Sequence, residues 1–216
     1  MKKYIILVFT LVLIFVLGFT TQASQIPVGV ERGLSFELTK VFTTPATDEI
    51  IVKGNYGLND HLLLSLGYGT SSQTWIFAGR NAFSKNTAII WEYKKATVGA
   101  SEANTILFGG RFKLNLSDQL DIVGEANYSY YSFTISHAAV SSINSSLIKC
   151  QGEYKLSDML VLNGGASYAS AEGVTGTTII VGAELQPIKQ FKAGLDYSMP
   201  STGDQGMITL VLSYTL

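Results

Sequence analysis

Leu120-Asp-Ile-Val-Gly-Glu-Ala-Asn-Tyr-Ser-Tyr130 carries two different signals at alternate positions. Leu120, Ile122, Ala126, Tyr128 and Tyr130 are apolar or aromatic, whereas Asp121, Glu125, Asn127 and Ser129 between them are polar. A period of two belongs to a β-strand, whose successive side chains point to opposite faces. The segment therefore predicts a strand with unlike surroundings on its two sides.

The same split runs in both directions from this stretch. Toward the N-terminus, Leu34, Phe36, Leu38 and Phe42 oppose Ser35, Glu37 and Thr39, and Ile50, Val52 and Tyr56 oppose Lys53 and Asn55. Leu62, Leu64, Leu66 and Tyr68 oppose Ser65, Gly67 and Gly69, and Ile106, Phe108, Phe112 and Leu114 oppose Thr105, Arg111 and Lys113. Toward the C-terminus, Ile148, Cys150, Tyr154 and Leu156 face away from Lys149, Gln151, Glu153 and Lys155. Leu160, Leu162, Ala166 and Tyr168 do the same against Asn163 and Ser167, as do Ile179, Val181, Ala183 and Leu185 against Thr178 and Glu184. Phe191, Ala193, Leu195 and Tyr197 alternate with Lys192, Asp196 and Ser198, and Ile208, Leu210, Leu212, Tyr214 and Leu216 with Thr209, Ser213 and Thr215. These ten segments have about the 9–11 residues that a tilted strand needs to cross hydrocarbon. Residues 72–103 add a hairpin turning near Ser84-Lys85-Asn86, with Trp75, Phe77, Phe83, Ile89, Trp91 and Tyr93 on one side and Arg80, Glu92 and Lys94 on the other. Twelve strands result; a ten-stranded barrel with one long loop is the alternative.

Alternation alone also suits a soluble sandwich with one wet face. Aromatic placement points to the membrane. Tyr56, Phe112, Tyr154 and Phe191 lie beside the expected short turns, and Tyr68, Tyr128, Tyr130, Tyr168 and Tyr197 lie near the opposite strand ends. Two such belts fit two membrane interfaces. The turns repeat as well. Tyr56 to Leu62 and Tyr154 to Leu160 each read aromatic, x, Leu, an Asn/Ser-Asp turn, x, Leu, Phe112 to Leu120 repeats the pattern with Asn115-Leu116 added before its Ser-Asp turn, and Gln186-Pro-Ile-Lys-Gln190 forms a fourth connection. Pro27, Pro45, Pro187 and Pro200 all fall outside the expected strand interiors, where a missing donor would break the ladder. Gly54, Gly110, Gly124, Gly152 and Gly164 fall on the apolar parity, where they relieve curvature or accept an aromatic ring from the next strand. Fold class is thus all-β: a closed antiparallel up-and-down transmembrane barrel over residues 33–216.

Met1-Lys-Lys3 followed by an apolar run from Tyr4 to Phe19 and small residues at Thr21 and Ala23 has the layout of a cleaved signal peptide, residues 1–23, with 24–32 as a lead-in. An uncleaved anchor lacks its basic stop-transfer flank. Cys150 is the only cysteine, so no intramolecular disulfide exists. Charged residues are 14% and hydrophobic ones 47% of the chain, without a basic cluster that would hold nucleic acid. Ile208-Thr-Leu-Val-Leu-Ser-Tyr-Thr-Leu216 resembles the terminal strand of bacterial outer-membrane barrels, although Leu216 stands where Phe is usual. The repeated turn resembles the periplasmic turns of small porin-like barrels. That resemblance implies residence in the outer membrane, with its lipid and the barrel-assembly machinery as partners.

The polar parity gives the expected lumen lining. It collects Glu37, Lys53, Arg80, Glu92, Lys94, Arg111 and Lys113 from the first half of the chain. Asp121, Glu125, Lys149, Glu153, Glu184, Lys192 and Asp196 follow from the second. Acidic and basic members are equal in number, so either a water-filled pore of weak ion selectivity or a salt-bridged, closed lumen is expected. Catalysis is a remoter class: His61 lies in a turn, and His137, near Ser132 and Ser142 in an expected extracellular loop, is the one candidate for lipid chemistry. No nucleophile-elbow or zinc-protease motif occurs, and no cofactor or metal is implied.

Overall fold

The computed structural model describes residue 30 and residues 32–42, 49–98, 101–135, 138–201 and 206–216. The expected signal peptide, most of the expected lead-in, Pro27, Pro45 and His137 lie outside the described residues. Twelve strands follow one another: β1 (Gly33–Phe42), β2 (Glu49–Gly57), β3 (Leu62–Gly69), β4 (Thr74–Ala82), β5 (Thr87–Val98), β6 (Ser101–Asn115), β7 (Leu120–Ile135), β8 (Ala138–Lys155), β9 (Leu160–Ala171), β10 (Val174–Ile188), β11 (Phe191–Pro200) and β12 (Met207–Thr215). Each pairs antiparallel with its sequence neighbour, and β1 closes on β12 from Ser35–Thr215 to Phe42–Ile208. Twelve strands is the larger of the two expected counts, because residues 74–98 form the β4–β5 hairpin.

Once around the barrel the register slips by about 14 residues, which ties twelve strands to a tilt of about 40°. Closure leaves no sheet edge through the span, where each strand is paired on both sides as lipid requires; the overrunning start of β8, before Ser145, has no register partner on its β9 side. Alternation then sorts the side chains. Val181 is 52% exposed on the outside while Ile180 beside it is 1% exposed inside. Leu66, Trp75, Ile106, Phe108, Ile148 and Leu195 likewise stand exposed outward. Tyr56, Phe112 and Tyr154 ring one end of this apolar zone and Tyr128, Tyr130, Tyr168 and Tyr197 the other, all exposed.

The repeated turns share one chemistry. Asn59 Oδ1 accepts from the backbone N–H of His61 and Leu62, Ser117 Oγ from Gln119 and Leu120, and Ser157 Oγ from Met159 and Leu160. Leu58, Leu116 and Leu156 N–H donate to the carbonyls of Leu62, Leu120 and Leu160. A short side-chain acceptor thus replaces the carbonyl that a tight turn cannot supply. At the other end Glu172 and Gly173 both take positive φ, 47° and 85°, as a two-residue hairpin loop demands.

Two expectations need correction. Pro187 lies within β10, not outside it, and is tolerated because the register shifts between Leu185 and Ile188; Pro200 is the last residue of β11. The expected loop around Ser132 and Ser142 is instead strand, since Ser132 pairs directly with Ser142 across β7 and β8. These strands, 16 and 18 residues long, overrun the hydrocarbon. At that end of β5 to β8 the side-chain alternation continues but the polarity of the two faces exchanges. Lys95, Glu102, Asn104 and Asn144 now point outward, with Lys95 and Glu102 ion-paired at 3.1 Å. Ala96, Ala103, Tyr131 and Phe133 form a buried apolar cluster on the inner side, with Ile143 packed against it. Outside the lipid the outer solvent is water, so the apolar side chains turn inward.

Candidate functional site

The inner face is the place where function can reside. All fourteen charged residues of the polar parity fall on it. Glu37 pairs in register with Lys53, Arg111 with Glu125, Glu125 with Lys149, and Asp121 with Glu153. Arg80, Glu92 and Lys94 on β4 and β5, Lys113 on β6, Glu184 on β10 and Lys192 and Asp196 on β11 share that face by alternation.

These charges bond along the wall. Arg111 Nε reaches Glu125 Oε2 at 2.5 Å, and the other oxygen of Glu125 accepts from Asn127 Nδ2. Lys113 Nζ lies 2.6 Å from Asp121 Oδ2 and 4.0 Å from Glu153 Oε2, so one cation serves two carboxylates. Lys94 meets Glu92 at 2.7 Å, and Lys53 meets Glu37 at 3.9 Å. Asn163 Nδ2 donates to Asp196 Oδ1 at 3.2 Å, across the whole width of β10. That reach is possible because β10 presents Gly182 there; a Cβ on Gly182 would collide with the Asp196 carboxylate. Gly109 opposite Asn127, Gly165 opposite Gln151 and Gly67 opposite Lys53 give room in the same way. Of these inward glycines, alternation places Gly67 on the polar parity, while Gly109, Gly165 and Gly182 are not singled out by it. Their signal was present in the sequence as glycines on the polar parity.

Two further features were not anticipated. Glu49, the first residue of β2, also belongs to the inner face, where its carboxylate accepts from the Ser72 N–H at 3.2 Å. The inner face also holds apolar residues between the charges: Ile76, Ile90, Leu107, Val123 and Ile180 are all buried. The lining is therefore polar with apolar interruptions, and wall-bound in its polar contacts.

The turn end carries its own small anchor. Arg32, just before β1, grips Asp60 in the β2–β3 turn with two hydrogen bonds of 2.6 and 3.0 Å. Val30 packs against Ala82 and Ala88 on β4 and β5. His61 contributes Nδ1 to a 2.9 Å hydrogen bond with the Ala82 carbonyl, a turn role. Among the described residues no group of three His, Cys, Asp or Glu converges to hold a metal.

A closed antiparallel barrel, apolar and aromatic-girdled outside and charged inside, defines a transmembrane β-barrel of the outer-membrane kind. No family model matches the chain, and no curated protein matches it in sequence. Solved structures do match. The KdgM porin, solved in complex with disordered oligogalacturonate, superposes with a TM-score of 0.62 at 12% identity, covering 84% of this chain and 99% of that one. The NanC porin gives 0.61 at 9% identity, covering 85% and 100%. The COG4313 outer-membrane channel from Pseudomonas putida F1 gives 0.56 at 10% identity, covering 91% and 100%. Likeness at this identity establishes a shared barrel fold.

Proposed function

We propose that this protein is a porin-like passive channel for small solutes or ions in a bacterial outer membrane, acting by permeation and not by catalysis. The observation that carries the reading is a closed barrel whose inner face interleaves acidic and basic side chains through the thickness of its apolar belt. The shared fold with porins and channels supports it. Single-channel recording of refolded protein in planar bilayers tests the proposal. Discrete conductance steps are expected; a well-folded barrel that never conducts would overturn it.

One observation favours a second reading, a structural barrel with a laced, closed lumen. Lys149, Glu153 and Asp196 are each only 3–5% exposed. Glu37, on the inner face of β1 with its side chain 27% exposed, separates the two. In a Cys150→Ser background, Glu37→Cys reacts with a small membrane-impermeant thiol reagent if the lumen is open, and stays protected if it is closed.

A further inference from the structure

With strands tilted by about 40° and rising about 3.3 Å per residue, the register brings eight inner charges to nearly one level. Glu37, Lys53, Arg80 and Glu92 come from β1, β2, β4 and β5; Arg111, Glu125, Lys149 and Asp196 come from β6, β7, β8 and β11. They span about 8 Å along the axis, within an apolar belt of about 25 Å. Among the described residues four are acidic and four basic, and the sign changes at six of the eight steps around the barrel.

Contacts bear out the level. Glu37 meets Lys53, and Arg111 meets Glu125. Lys149 on β8 is within electrostatic reach of Glu125 on β7 and of Asp196 on β11. Glu92 on β5, ion-paired with Lys94 on its own strand at 2.7 Å, is also within electrostatic reach of Lys53 on β2 and Arg111 on β6. Four strands place no charge in the ring, and three of them, β3, β9 and β10, present Gly67, Gly165 and Gly182 there. A Cβ on Gly67 would stand 2.7 Å from Lys53 Cγ, so the lysine leans over its neighbour strand. The glycines let long charged side chains lie around the circumference.

Resting on the channel reading, we propose that this ring is the selectivity filter and that it favours small polar solutes without net charge, neutral or zwitterionic, over ions of either sign. Any monovalent ion at this level meets a repelling group beside every attracting one, deep in low-dielectric surroundings where neither is well screened. A zwitterion can set its cationic end against a carboxylate and its anionic end against the adjacent lysine or arginine. Charges outside the level, such as Lys192 toward the turn end, lie closer to bulk water and act more weakly.

Reversal potentials in a KCl gradient and swelling of protein-loaded liposomes test this. For the native protein a cation-to-anion permeability ratio near one is expected, with faster swelling in glycine than in acetate or methylammonium salts. Lys149→Gln is expected to raise the ratio about twofold or more, and Asp196→Asn to lower it by a similar factor, while Lys192→Gln moves it less. Folding of each variant is verified by heat-modifiable gel migration. Channels that conduct but are strongly ion-selective, or that respond equally to Lys149→Gln and Lys192→Gln, overturn the filter and leave the channel standing. Absence of any conductance overturns the channel reading itself.

Discussion

Arg111 and Glu125 show how one pair holds the inner wall. Their contact is enclosed, and Glu125 also satisfies Asn127. Removing one partner leaves a charge facing its own kind in poorly hydrated surroundings. Glu125→Ala is therefore expected to cost about 2–3 kcal/mol in guanidinium unfolding from lipid vesicles. The double variant with Arg111→Ala should cost less than the sum of the singles, and simple additivity would contradict the pairing. Asp60 makes a different test, because its carboxylate is exposed and held by Arg32. The guanidinium keeps its pKa below the usual 3.8, first by hydrogen bonding and then by charge. A depressed folded pKa means the contact stabilises above the unfolded value and is lost as pH falls through the folded one. Being fully exposed, the pair changes stability little. NMR titration should find Asp60 below the ordinary range and restored to it by Arg32→Ala.

Strands obey the surroundings of each of their faces at each depth. Val181 lies in the middle of the lipid-facing stretch of β10, so Val181→Arg should destabilise the barrel by about 2–4 kcal/mol. Ser170, beyond the Tyr168 girdle on β9, should accept Arg at about 0–1 kcal/mol. Equal costs at the two positions would contradict the placement of the belt. The exchange of polarity between the two faces of β7 and β8 makes a related prediction. Asn144, which accepts from the Tyr128 hydroxyl at 2.8 Å, stands on the outer face past the lipid. In a Cys150→Ser background, Asn144→Cys should be labelled by a membrane-impermeant maleimide, whereas native Cys150 on the lipid face should not. Glycine adjusts the outer face too. Phe112 lies directly over Gly124, its register partner, and Trp91 over Gly79. The expected aromatic packing on Gly124 thus has a definite partner.

Closure of the whole molecule depends on β1 meeting β12. Leu38 and Leu212 are direct partners there, at a separation within disulfide range for any antiparallel pair. Leu38→Cys with Leu212→Cys, again in Cys150→Ser, should cross-link on oxidation and hold the barrel compact in hot detergent. Leu38→Cys with Leu210→Cys, offset along the strand, should not. Cross-linking of the second pair in place of the first would mean a different register, hence a different shear and a different ring of charge.

From its residues alone this chain showed ten of its strands, its two faces and its repeated turns, because alternation and turn chemistry act between neighbours a few positions apart; the choice of twelve strands over ten was made by the β4–β5 hairpin in the closed barrel. The fourteen charges of the polar parity could be named for the same reason. Glu49, Gly109, Gly165 and Gly182 escape that reading, since Glu49 opens β2 with few alternating neighbours and a glycine declares a face only through the residues around it. Strand length past the membrane was equally hidden: Ser132 and Ser142 read as loop because polar residues outside lipid look alike whether paired or not. Which charges share a level, and which strand gives way to which side chain, was decided only when twelve tilted strands closed with one fixed stagger. That stagger is a property of the circuit and of no single segment.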